Sequence, residues 1–204
     1  MSQQTISTKE LTNKLRKLYW KISLDHQHFI SELHNSIDTS MEQQRFQQYK
    51  IAIQEAADVF PEIFIDLYYL DSLIKSGLTE LPKQDPEFAS KEQQLDLDDV
   101  VNRIRIKYWE ALVARKEWED EPGGKEFLSL NHNYDSRIDG FRQVFATLFD
   151  FSFNCYHDLD ELIKNLHYRF ELDSHGSSRY IQFDPETGQD IADPITPQKL
   201  HLNS

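Results

Sequence analysis

The sequence predicts an all-α fold: an elongated four-helix bundle of long antiparallel helices with a short C-terminal β-hairpin and extended tail. Three observations predict it. Apolar residues recur every three or four positions over long stretches, which is the helical period. Only six Gly and seven Pro occur, and most fall between those stretches. Aromatic residues are plentiful (13 Phe, 9 Tyr, 3 Trp), whereas disordered chains are poor in them. A length of 204 residues is enough to bury a core without disulfide or metal staples. The expected division is a bundle over 1–176 and a hairpin with flexible tail over 177–204.

The first helix starts at Ser7. Ser7-x-x-Glu10 reads as a capping box, with Ile6 and Leu11 as a hydrophobic staple. Leu11, Leu15, Leu18, Ile22, Phe29 and Leu33 carry the stripe toward Ile37. A second box, Thr39-x-x-Glu42, opens the next helix. Its stripe runs from Phe46 through Ile53, Phe60, Phe64 and Leu67 to Ile74, and Gly77 closes it. Pro61 lies inside this stretch and predicts a kink.

The third helix starts at Asp85-Pro86 or near Ser90 and fades in the acidic stretch Glu117 to Glu121, before Pro122-Gly123-Gly124. Asp135 caps the fourth, whose stripe runs from Phe141 through Phe145, Leu148, Ser152, Tyr156 and Leu159 to Phe170, with Gly176 at its end. Helices of roughly 30 residues are each about 45 Å long. Tyr180–Phe183 and Gln189–Ala192 flank Asp184-Pro-Glu-Thr-Gly188. Proline at i+1 and glycine in the left-handed position predict a hairpin turn. Pro194 to Ser204 is expected to be disordered.

Charge narrows the function. Twenty-two Lys+Arg against 35 Asp+Glu leave −13, which argues against nucleic acid and anionic membrane surfaces. The charge is uneven: +4 over residues 9–21, −5 over 80–99 and −4 over 117–126. No apolar run of membrane-spanning length occurs, and the start lacks the apolar core of a signal peptide. The single cysteine, Cys155, fits a reducing compartment. A cytoplasmic protein is expected.

Several residues could carry chemistry. Asp25, His26 and Asp71 interrupt apolar stripes and predict a buried polar layer, either a ligand site or a satisfied structural pair. Glu55, Asp58, Glu62 and Asp66 place four carboxylates on one face of the second helix. Glu55-Ala-Ala-Asp58 resembles the Glu-x-x-Asp element of all-α nucleotide pyrophosphohydrolases of the MazG and dimeric dUTPase type. Such a resemblance implies Mg²⁺ held by helical acids, but their earlier Glu-x-x-Glu element is missing, and this face lies opposite the apolar stripe. Arg169 and His175 fit the Arg-x(4–6)-His signature and so resemble HEPN ribonucleases. There the arginine would hold phosphate and the histidine would act as acid and base. His157-Asp158 is similar to the paired residues of HD phosphohydrolases; an exposed His157–Glu161 pair is the simpler reading. No Glu-x-x-His occurs, which counts against a ferritin-like di-iron site. No metal and no cofactor are expected.

Surfaces carry the remaining signal. Trp20 and Leu24, Ile65 and Tyr69, and Phe151 and Phe153 lie outside the main stripes of their helices; Tyr180 and Phe183 belong to the marginal hairpin. A helix apolar on two sides is central or part of an interface. The expectation is a non-enzymatic interaction module: an acidic regulator, adaptor or complex subunit. Its partner is a protein, one with a basic surface suiting the acidic shell, and the chain is a homodimer or a member of a complex. The alternative is an all-α bundle hydrolase of nucleotides or RNA.

Overall fold

A computed structural model of the chain describes residues 4–32, 40–84, 91–123, 128–172 and 177–199. Ser7 Oγ accepts the Glu10 backbone N–H at 3.1 Å, so the expected cap forms. Helix α1 follows over Thr8–Glu32 and buries Leu11, Leu15, Leu18 and Ile22. Residue Thr39, the next expected cap, lies outside the described residues; α2 spans Ser40–Asp58.

The second helix does not continue through a kink to Gly77. It ends at Asp58. Proline lacks an N–H, crowds the carbonyl four residues back and disfavours helical geometry in the residue before it. That residue is Phe60, which is buried and takes the Ala57 carbonyl at 3.0 Å in a tightened last turn. A new helix, α3, starts at Leu67 and ends at Lys75, capped by Asp66. Gly77 adopts φ 92°, the left-handed conformation that suits glycine. Its N–H bonds Ile74 O at 2.9 Å and the Leu78 N–H bonds Leu73 O at 3.1 Å, as in a Schellman ending.

Strands β1 (Thr5–Ser7) and β2 (Gln94–Asp96) pair antiparallel, Ile6 opposite Leu95. They tie the start of α1 to the start of α4 (Leu97–Asp120). So α4 begins later than Asp85 or Ser90, and Asp96 caps it by accepting the Asp98 and Asp99 N–H groups at 2.8 and 3.2 Å. Its end agrees with the fading stripe. Helix α5 spans Leu128–Leu148, so Asp135 lies within it and is not its cap. Asp135 instead pairs with Arg115 at 2.6 Å.

The long fourth helix is also interrupted. After Leu148 the chain passes through a 3₁₀ turn at Ser152–Cys155, a short helix α6 (His157–Lys164) and two antiparallel strands, β3 (Tyr168–Leu172) and β4 (Ser178–Gln182). Asp150, Ser152 and Asn154 have side chains that compete with helical hydrogen bonds. The expected turn forms: Gly188 has φ 68° and its N–H bonds Asp184 O at 2.7 Å. Beyond it only Phe183 bridges Asp190, while the main partner of β4 is β3, from the stretch expected to be helix. Pro197–Lys199 form a 3₁₀ turn against α4.

The molecule is thus mostly helical, with six α-helices and two small sheets among the described residues, rather than four uninterrupted helices. One continuous apolar core joins them. Helix α5 packs against α2, α4 and α1, most extensively against α2. Gly140 permits that approach, because a Cβ there would lie 2.8 Å from Ala52 Cβ and 3.1 Å from Tyr49 Cα. No described helix is long and apolar enough to cross a membrane.

Candidate functional site

The break at Pro61 disperses the acidic face. Glu55 forms a two-pronged ion pair with Arg137 of α5. Glu62, past the helix end, accepts Arg103 of α4 at 3.2 Å on both oxygens. Asp66 caps α3 by accepting the Tyr69 N–H at 2.9 Å. Asp58 is exposed and bonds Gln54. The four acids have separate partners, and no described cluster of His, Cys, Asp or Glu is placed to hold a metal.

Arg169 sits on a strand, not a helix. Its guanidinium bonds Glu171 at 2.9 Å, Gly188 O at 3.1 Å and Asp190 at 2.5 Å, and lies over the Phe183 ring. It holds the hairpin turn. His175 lies outside the described residues. His157 is exposed and stacks on Phe153 with ring centroids 4.5 Å apart. Cys155 is buried, which pushes its thiol up to about 11, away from a reactive thiolate.

Of the expected polar layer, Asp25 is exposed and takes no part in the core. The α1 stripe continues past it through His26 and Phe29, which meet the Phe46 ring, and Asp25 falls on another face of the helix. His26 is half-buried and stacks on Phe46 at 5.0 Å. Burial, with Lys50 nearby, lowers its imidazole pKa. Asp71 accepts Lys50 at 2.9 Å and Ser23 at 3.4 Å. This is a structural pair joining α1, α2 and α3.

A second polar group was not anticipated. Arg105 of α4 is 1% exposed. Its guanidinium donates to Cys155 O at 2.6 Å and to both Asp158 oxygens at 2.8 and 2.7 Å. Those bonds hold the Asp158 carboxyl below the usual carboxylate range. One helical turn on, Tyr108 donates to Asp160 at 2.5 Å, and Arg142 of α5 bonds Asp160 at 2.9 Å and Tyr108 at 3.1 Å. Together these residues latch the interrupted segment onto α4 and α5. The sequence signal was Arg105 itself, beside Val101, Ile104 and Tyr108 of an apolar stripe. Arg142 also lines a cleft of about 470 Å³, together with Arg115, His157, Lys164 and several acids.

The expected surface residues divide. Trp20 is buried, not exposed, and its Nε1–H points to Thr79 O at 3.4 Å, so the chain after α3 covers it. Leu24, Ile65, Tyr180 and Phe183 are half-buried against their own fold. Tyr69, Phe151 and Phe153 are exposed, Phe153 at 57%. Phe151 stacks on Phe149 at 5.8 Å, so 149–157 presents a run of aromatic rings. Tyr68, at 88%, and Phe64 add exposed rings around α3.

Comparison with family models, with curated proteins and with solved structures found no match.

Proposed function

We propose that the protein is a non-enzymatic interaction module, a regulator, adaptor or complex subunit that presents an aromatic surface to a protein partner. The observation that carries this reading is the exposed run Phe151, Phe153 and His157 beside Phe149. Exposed aromatic side chains cost solvation in a free monomer and are enriched where partners dock. Supporting it, Arg169, Glu55, Glu62 and Asp66 each have a partner within the fold. The net charge of −13 suits a partner with a basic surface, because charge complementarity speeds encounter.

The test is co-purification of the tagged chain from its own cells, comparing wild type with Phe151→Ser/Phe153→Ser. Circular dichroism checks that the variant is folded. A stoichiometric companion, a second copy or another chain, is retained by the wild type and lost by the variant. Equal retention by both would overturn this assignment of the surface.

A further inference from the structure

The C-terminal tail lays a short motif against α4. It reads Pro194-Ile-Thr-Pro197, two prolines three residues apart. Proline fixes its own φ and holds the residue before it in extended backbone. Such a segment is preset for the polyproline helix, which has three residues per turn. Residues 194–196 belong to no helix or strand of the protein. Pro-x-x-Pro segments dock in aromatic-lined grooves, because their backbone loses little freedom on binding.

This segment lies in such a groove. Val113 of α4, Tyr168 and Tyr180 of the β3–β4 sheet, and all four residues of the motif surround an open cavity of about 500 Å³. One side chain clamps the motif. Gln182, which is buried, donates to Ile195 O at 2.9 Å and accepts the Ile195 N–H at 3.1 Å. Its amide is fixed in turn by donating to Tyr168 Oη at 3.1 Å. The two bonds to Ile195 reproduce the exchange between facing residues of antiparallel strands. They read backbone, so they suit any non-proline residue at that position. Among the described residues, no other hydrogen bond ties residues 192–197 to the rest of the fold. Ile195, Thr196 and Pro197 are half-buried and Pro194 is exposed, so the tail leaves part of the groove unfilled. A fixed backbone clamp beside unfilled apolar space suits a bulkier segment of the same kind.

We propose that this groove docks a Pro-x-x-Pro segment of a partner protein, and that the tail is the intramolecular ligand which that segment displaces. No residue of the Phe151–Phe153 run lines the groove, so this is a second contact, independent of that surface.

The probe is a fluorescently labelled synthetic peptide of residues 192–199, titrated with the full chain and read by anisotropy. In the wild type the tethered tail competes, at a local concentration on the order of millimolar. Ile195→Asp frees the groove by placing a charge where Ile195 packs on the core. Pro194→Gly/Pro197→Gly loosens the tail without a new charge. Both tail variants are expected to bind the peptide one to one, about tenfold or more tighter than the wild type. A Thr196→Leu peptide binds about threefold or more tighter than the parent, because position 196 lines the unfilled space. A Pro194→Ala/Pro197→Ala peptide binds about fivefold or more weaker. Gln182→Met, added to Ile195→Asp, removes binding. Circular dichroism confirms that each variant folds. No saturable binding to either tail variant, equally tight binding to the wild type, or binding that survives Gln182→Met overturns the proposal. So does a peptide series in which the leucine brings no gain or the loss of both prolines brings no penalty.

Discussion

Arg105 takes a charge into the interior, and its partners decide whether that is tolerable. A buried cation is stable only with good geometry and satisfied bonds. Arg105 has a two-pronged carboxylate and a carbonyl, while its Nε–H finds no partner among the described residues. Arg105→Ala removes both and leaves a cavity, so the variant loses about 3 kcal/mol in urea unfolding. Arg105→Lys recovers little of the loss, because a single ammonium cannot reproduce the fork. Glu117 carries the opposite lesson. Burial pushes its carboxyl up to about 7, against 4.5 for the free group. Within that window the folded chain holds more protons than the unfolded one, so Glu117's contribution is fully present below 4.5 and is lost as pH rises through 7. Glu117→Gln therefore raises the melting temperature at about pH 8, and the gain shrinks toward about pH 5. Thermal unfolding at the two pH values checks both the sign and the trend.

At the scale of elements, local signals proved legible where the cause was local. The Ser7 cap, the end of α4 and the Gly188 turn each depend on a few neighbouring residues, and each forms as read. The breaks depend on more than the stripe. Apolar spacing continues across Pro61 and across 149–156 because both sides of each break face the same core. Periodicity reports that shared face and is silent about a turn that preserves it. Strands β1 and β2 are three residues each and pair across most of a helical hairpin's length of chain, so no alternation announces them. For the candidate sites, Phe151 and Phe153 were legible as extra apolar positions, whereas Trp20 was not, because the segment that covers it is distant in sequence. Gly140 shows the limit in the other direction: a helix-interior glycine whose reason lies on α2. Gly140→Ala gains helix propensity yet forces α2 and α5 apart. The net loss is about 1–3 kcal/mol, read by chemical denaturation.

At the scale of the molecule, charge and aromatic exposure act together. The basic start of α1 is partly spent internally, Lys14 bonding Glu10 at 3.1 Å and Leu148 O at 3.1 Å. Glu80, Glu92, Asp98 and Asp99 remain exposed, so part of the acidic surplus faces outward. On the proposed reading, both the exposed acids and the exposed aromatic rings are available to a protein partner. The most direct measurement is the mass, by light scattering, of the protein purified under gentle conditions from its own cells. The account predicts a species heavier than the 24.2 kDa chain by at least one further chain. It also predicts that Phe151→Ser/Phe153→Ser returns the mass to that of the single chain. A wild-type protein that runs as a lone 24.2 kDa monomer, with no stoichiometric companion, would contradict it.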